Sequence, residues 1–274
     1  SLAPVGAMAA RARDITASSL SQRLPVANPH DELGRLATVF NATLQRLETS
    51  FAELRRFAAD ASHELRTPLT ALRTTGEVAL RDQHDPAQLR DAIGAMLEDA
   101  QRLQDLVESL LALARAEADT QPLPRATVAC GALAREVAEN LRVLAEEKRQ
   151  QLIVEVTDDV TVAGDAALLR QALLNILHNA IRHTPAGGRL TVRCQRRQNE
   201  AVIEVADTGE GIAPEHQGRI FERFHRVDNA RSRAEGGAGL ALANARAAVE
   251  RHGRRIELES TPGQGSLFRI VLPV

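Results

Sequence analysis

From Leu33 onward, apolar residues recur at Leu36, Phe40, Leu44, Leu47, Phe51, Leu54, Ala58, Ala61 and Leu65, in steps of three and four. Only an α-helix gathers such a series on one face, because 3.6 residues per turn bring i, i+3, i+4 and i+7 to the same side. The steps alternate except at Phe40, where two steps of four adjoin. Such an insertion locally unwinds a coiled coil, so a junction between two helical modules is expected between Phe40 and Leu47. A second run, Leu89, Ile93, Met96, Ala100, Leu103, Val107, Leu110 and Ala114, alternates four and three without a fault. The two runs flank the turn "RDQHDPAQ" and read as a helical hairpin. One apolar seam per helix cannot be buried within the hairpin alone, so a four-helix bundle built by two copies is the natural solution.

At "DTQPLPRATV" (119–128) two prolines and the loss of heptads mark a domain boundary. Beyond it the pattern predicts a helix over 131–148, strands at 152–156 and 160–163, and a helix over 166–183. Strands at 190–194 and 201–206 follow, then a Gly-rich charged loop over 209–238, a helix to about residue 252, and closing strands at 256–259 and 267–271. Segregated helices over a mostly antiparallel sheet make an α/β sandwich. The 274 residues suit about two domains. With 2% aromatic residues, no Trp or Tyr and a net charge of −2, the chain lacks the stacking platform and basic excess of a nucleic-acid binder. Cys130 and Cys194 lie far apart in sequence with no second thiol near either, which excludes a metal knuckle and a disulfide scaffold and leaves core residues of a reduced protein. No apolar run approaches the ~18 residues of a membrane span. The chain opens at Ser1 inside an amphipathic pattern without an initiator Met, as a piece of a longer protein would.

Residues 62–69 read "SHELRTPL". Pro68 inside a helix costs about 3 kcal/mol, because it lacks an N–H and crowds the preceding turn. On the frame set by Ala58, Ala61 and Leu65, His63 points to solvent, so it is either a solvated surface residue or a reactive one. Glu64 beside it can accept the Nδ1 hydrogen and leave Nε2 with a free lone pair. Thr67 follows one turn later and can position a water, and Pro68 loosens the helix below. A zinc-protease helix is excluded, since Thr67 stands where a second His would be needed.

The stretch "FAADASHELRTPLTAL" resembles the phosphoacceptor box of bacterial sensor histidine kinases. Four further motifs follow in the family's order: "LLRQALLNILHNAIRHTP" (168–185), "DTGEGI" (207–212), "RIFERFHR" (219–226) and "GGAGLAL" (236–242). Upstream, "LAP" at 2–4 and "DELGRLATVFN" at 31–41 resemble a HAMP linker. The resemblance implies the cytoplasmic portion of such a kinase, in the GHKL superfamily. Its fold class is multi-domain α and α+β: a HAMP helical coiled coil over 1–53, a dimeric four-helix bundle with the phosphoacceptor over 54–118, and an ATP-binding α/β sandwich of the Bergerat type over 126–274. Transmembrane helices would precede Ser1 and hold this portion on the cytoplasmic side of the bacterial inner membrane.

The resemblance also assigns roles. His63 is the phosphorylated residue, with Glu64 and Thr67 as its catalytic companions. Nucleotide falls to Asn175, Asn179, Arg182, His183, Asp207, Gly209, Gly211, Ile212, Phe221, Arg223, Phe224, Gly237, Gly239 and Leu240, with Mg²⁺ on Asn179. A carboxylate at Asp207 suits the adenine amino group, an amide oxygen suits a hard cation, and a Gly-rich helix start suits phosphate. The implied reaction is autophosphorylation of His63 from Mg-ATP, transfer to an aspartate of a response regulator receiver domain, and dephosphorylation of that regulator. Related ATPases carry a glutamate where Asn175 stands, so water is not activated here and His63 is the nucleophile on offer. Ala238 and Ala241 depart from the usual Gly loop and leave a weakly nucleotide-binding dimeric scaffold as one rival. An ATPase of the same fold is the other.

Overall fold

The computed structural model describes residues 19–26, 28–81, 85–118, 126–227 and 239–274, with residues 6, 11, 13, 15 and 16. Most of the opening amphipathic stretch, the turn at 82–84, Gly237 and Ala238 lie outside the described residues. The chain divides into two compact units, Ser1–Arg66 and Thr67–Val274. Helix α1 (Glu32–Arg81) runs from the first into the second.

In the first unit α1 begins where Asp31 accepts the Gly34 amide at 2.7 Å. The non-helical connector before it is tied down by Asn41, whose side chain accepts from Leu24 N at 2.8 Å and donates to Leu24 O at 2.9 Å. Leu24, Ala37 and Leu44 are buried together at that face. The connector covers Gly34, Ala37, Asn41 and Leu44, while Leu36, Leu47 and Leu54 of the expected seam stay open to solvent within one chain. The connector's backbone needs a polar partner, and Asn41 supplies it one position away from Phe40. The helix is also continuous between Phe40 and Leu47 and through Pro68, so the phase shift produces no break.

In the second unit α2 (Pro86–Ala118) starts at Asp85, which accepts from Ala87 N and Gln88 N at 2.7 and 2.9 Å. No described helix is long and apolar enough to cross a membrane. The sandwich follows: β1 (Ala126–Ala129), α3 (Cys130–Glu147), β2 (Gln151–Val156), β3 (Thr161–Gly164), α4 (Ala166–His183), β4 (Arg189–Arg197) and β5 (Glu200–Asp207) come first. A single turn, α5 (Pro214–Gln217), precedes α6 (Ala241–Arg251), β6 (Arg255–Thr261) and β7 (Gly265–Pro273). The main sheet has the order β2-β4-β5-β7-β6, parallel between β2 and β4 and antiparallel elsewhere, and β1 pairs with β3 in a small second sheet. Strand β1 lies in the stretch read as a linker, and α5 in the stretch read as a loop. Each has only four residues, too few for a periodic signal.

The sheet's two faces are chemically opposite. Strand alternation sends Leu190, Val192 and Cys194, then Ile203 and Val205, then Phe268, Ile270 and Leu272 onto the helices. Helices α3 and α4 meet them with Val137, Leu141, Leu169, Leu173 and Ile176, and Ala245 and Ala248 let α6 approach closely. Cys130 and Cys194 are free and fully buried, as core residues should be. The fold brings the two thiols within electrostatic reach of each other, which their sequence separation concealed, and burial pushes them up to about 12 and 11.

On the outer face a row of alternating charge crosses all five strands in register: Glu155, Arg193, Glu204, Arg269, Glu257. Glu204 is only 3% exposed, because Arg197 and Arg269 close over it with nitrogens 2.8 and 2.9 Å from its Oε1. Arginine stems thus cover sheet that would otherwise be bare. Replacing Glu204 with Ala removes a buried partner from both arginines, while Arg269 keeps its pair with Glu259. Because Arg197 still reaches water, the unfolding free energy from urea titration should fall by about 2 kcal/mol, below the full cost of breaking a buried pair.

Candidate functional site

Asp165 caps the start of α4 by accepting from Ala167 N and Leu168 N at 2.8 and 3.2 Å, and Pro185 prevents its continuation. The helix buries Leu169, Leu173, Ile176, Leu177 and Ala180 against the sheet. That leaves Asn175, Asn179 and Arg182, at steps of four and three, on a half-buried flank. Asn175 Oδ1 accepts from Gln171 Nε2 at 3.0 Å, while its buried Nδ2 has no partner among the described residues. Asn179 makes no hydrogen bond among the described residues, so its amide oxygen is available to a ligand.

Asp207 is the last residue of β5 and continues the inward alternation of Ile203 and Val205, opposite Leu190. A carboxyl therefore occupies a position built for an aliphatic side chain. Its Oδ1 accepts from Gly209 N at 2.8 Å and Ser266 N at 3.2 Å. Burial pushes its pKa above the ordinary value, and the two amides pull it only part of the way back. The turn beyond is equally constrained. A Cβ on Gly209 would sit 2.5 Å from His183 O, and Gly211, at φ +69°, would place one 2.1 Å from Thr261 O. Ile212 N donates to Ser260 Oγ at 2.8 Å, and Gln217 Nε2 bridges Ile212 O and Ser260 O.

Phe221 packs edge-on against Phe268 with ring centroids 6.4 Å apart. Phe224 adopts φ 59°, and its amide donates to Gly239 O at 3.1 Å, which pins together the two ends of the segment between them. Arg223 is half-buried, and Leu240 is buried just ahead of α6. The first turn of α6 has no side-chain cap. His183 directs Nδ1 to Glu210 Oε1 at 3.1 Å. The described expected residues from Asn175 to Leu240 thus lie on the end of α4, the end of β5 and the ends of the Gly loop. Sequence reading missed Ser266, Ser260 and Gln217, which carry no local signal because their partners are tens of residues away.

On α1, His63 is exposed, Glu64 half-buried and Thr67 exposed one turn further along the helix. Ser62 Oγ donates to Ala58 O at 2.7 Å. Pro68 has no amide to offer Glu64 O, so the ladder lapses beside the histidine.

Residues 1–49 match the HAMP domain, residues 53–119 the His Kinase A (phospho-acceptor) domain, and residues 164–274 the histidine kinase-, DNA gyrase B- and HSP90-like ATPase. Sensor protein IrlS of Burkholderia pseudomallei is 36% identical over 272 residues, covering 99% of this chain and 58% of that protein. Sensor histidine kinase CusS of Escherichia coli K12 is 36% identical over 274 residues, covering 99% of this chain and 56% of that protein. The chain belongs to the sensor histidine kinases. It spans a little over half the length of these relatives. Full-length ShkA in complex with AMPPNP is 30% identical, with a TM-score of 0.60 over 78% of this chain and 45% of that one. Histidine kinase ThkA in complex with response regulator TrrA shares the fold, with a TM-score of 0.67 at 22% identity over 89% of this chain and 68% of that one. The corner around Asp207 lies within the stretch matched to the ATPase, and His63 within the stretch matched to the phospho-acceptor domain.

Because the folded-state pKa of Asp207 is raised, this group favours folding below its unfolded pKa and loses that contribution as pH rises through the folded value. Asp207→Asn keeps an oxygen that can accept from Gly209 and Ser266 while removing the buried charge. Its thermal midpoint at pH 7 should equal or exceed that of wild type, with a flatter dependence on pH. If Asp207 meets an adenine amino group as the resemblance implies, nucleotide affinity by calorimetry should nevertheless fall by about tenfold or more, since an amide cannot replace that carboxylate.

Proposed function

We propose that this chain is the signalling end of a homodimeric sensor histidine kinase, with HAMP over 1–53, the phosphoacceptor hairpin over 54–118 and the ATP-binding domain over 126–274. The observation that carries this reading is a nucleotide corner with no water-activating carboxylate, since Asn175 holds that position, in one chain with a solvent-exposed His63. ATP places its adenine amino group on Asp207 and its phosphates near Asn179, Arg182, Arg223 and the uncapped start of α6. The AMPPNP complex of ShkA supports that choice of nucleotide. Asn179 fits Mg²⁺ through its available amide oxygen, and the cation, when bound, neutralises phosphate charge.

Nε2 of His63 attacks the γ-phosphorus; an N–P bond forms, the bond from phosphorus to the bridging oxygen breaks, and ADP leaves with the electron pair. Glu64 holds the Nδ1 hydrogen and stabilises the positive ring. The phosphoryl group then passes to an aspartate of a response regulator receiver domain. Thr67, one turn away, positions the water that later hydrolyses the aspartyl phosphate. Membrane attachment ahead of Ser1, on the cytoplasmic face of the bacterial inner membrane, agrees with a HAMP match and longer sensor relatives.

Incubation with γ-labelled ATP should give label that acid removes and alkali spares. His63→Gln should abolish it with ATP affinity intact. Thr67→Ala should keep autophosphorylation and slow regulator dephosphorylation by roughly 10²-fold, as expected for losing one positioned catalytic group. Wild-type label on His63→Gln refutes the phosphoacceptor, and a parallel fall of both Thr67→Ala rates refutes the phosphatase role.

The dimer rests on a row of exposed apolar residues along α2: Leu89, Ile93, Leu97, Val107 and Leu111, with Ile93 55% and Leu97 65% accessible. Of the expected seam, Met96, Leu103 and Leu110 are half-buried within the chain, so the open row is what a second copy would cover. Sedimentation at micromolar concentration should give a dimer. Ile93→Glu, at a site already exposed in one chain, should yield a folded monomer.

A further inference from the structure

Lys148 is the only lysine in a chain whose Lys and Arg total 34. It follows α3 directly, in a tight turn where Arg149 adopts φ 56° and Gln150 N returns to Ala145 O at 2.8 Å. Its exposed ammonium donates to Ile181 O at 3.3 Å and Arg182 O at 3.1 Å. Two residues on, Gln150 Nε2 donates to Ile181 O and Thr184 O. Arg149 O accepts from Gly187 N at 3.1 Å, and Gln151 N donates to Gly188 O at 2.9 Å. The turn therefore grips the carbonyl end of α4, whose last carbonyls have no partner within the helix and carry the negative end of its dipole. The ammonium reaches two successive carbonyls and places a positive charge at the negative end of the helix dipole.

The gripped turn holds Arg182 and His183. The carbonyl of His183 also abuts Gly209, where a Cβ would come within 2.5 Å of it, so this helix end forms one wall of the corner around Asp207. We propose that Lys148 is a positioning residue for the nucleotide site: it touches no nucleotide, but it sets where Arg182 and His183 stand and how closely α4 seats on the Asp207 turn. The inference rests on the ATP site proposed above.

Calorimetric titration with Mg-ATP tests it on three forms of the chain. Lys148→Met keeps the aliphatic stem without the charge and should weaken binding about fivefold, whereas Lys148→Arg, which keeps the charge, should remain within about twofold of wild type. Autophosphorylation at saturating ATP should be nearly unchanged in both, so the defect appears in KM and not in kcat. Because no other lysine competes, treating wild type with N-acetoxysuccinimide should reproduce the Lys148→Met defect. The same treatment of Lys148→Arg controls for the terminal amine and should change nothing. If Lys148→Met fails to fold, the acetylated wild-type protein supplies the measurement. Wild-type affinity in folded Lys148→Met or in the acetylated protein overturns the proposal, as does equal weakening in Lys148→Arg. A wild-type chain that binds no nucleotide instead refutes the ATP site, a result visible before any variant is made.

Discussion

A carboxylate occupies an aliphatic position at the end of β5, and much of the surrounding architecture exists to hold it there. Asp207 continues the inward alternation of Ile203 and Val205, so it must leave water, and the backbone amides of Gly209 and Ser266 compensate only in part. One of those amides is local and the other comes from far along the chain. The turn after β5 must fold back at once, which brings Gly209 beneath the His183 carbonyl, and β7 must begin alongside with Ser266. Each constraint then recruits its own support. Ser260 and Gln217 tie the turn to β6, and Lys148 and Gln150 grip the end of α4. A buried carboxyl compensated only in part by two amides is costly to the fold and keeps capacity for a further donor.

The opposite face of the same sheet follows the reverse rule. Its charges alternate in register, and ion pairs join Glu155 to Arg193, Glu204 to Arg197 and Arg269, and Glu257 to Arg255, so each carboxylate of that row already has its cation. Glu204 and Asp207 are neighbours on one strand and nearly equally buried, yet one is satisfied by two guanidinium groups and the other by two amides. The difference separates a structural carboxylate from one that retains capacity for a ligand. Pairing on the outer face keeps the sheet closed; incomplete compensation on the inner face keeps the site receptive.

What the sequence made legible follows the range of each interaction. Helix α4 is readable end to end because its cap at Asp165, its apolar stripe and its stop before Pro185 are all local, and the spacing of Asn175, Asn179 and Arg182 follows from the same periodicity. Asp207, Gly209 and Gly211 are legible as a motif, and so is the solvent-facing His63. Long-range or very short features are not. Strand β1 has four residues and exists through its pairing with β3, and the support from Ser266, Ser260 and Gln217 arrives from distant segments. The position of the connector on α1 was hidden for a related reason. Apolar spacing identifies the helical face, but a polar residue, Asn41, decides where the connector lies by satisfying both backbone groups of Leu24.

The helix around His63 and the corner around Asp207 are built to opposite specifications, as the proposed chemistry would require. The corner's backbone is closely fixed: glycines admit backbone where a side chain would clash, and hydrogen bonds hold Asp207 and Ile212 in place. The helix around His63 is under-determined. It exposes the imidazole and the Thr67 hydroxyl, and at Pro68 it forgoes the amide that would have bonded Glu64 O. A single rigid site could hold ATP, yet it could not present one histidine in turn to a phosphoryl donor and then to a protein acceptor. Locating the histidine on an exposed helix, interrupted at the residue beside it, leaves that face open to different partners in succession. On the reading proposed above, Asn175 in place of a water-activating carboxylate completes the division, because a phosphate held at the corner would find no nucleophile there and would wait for His63.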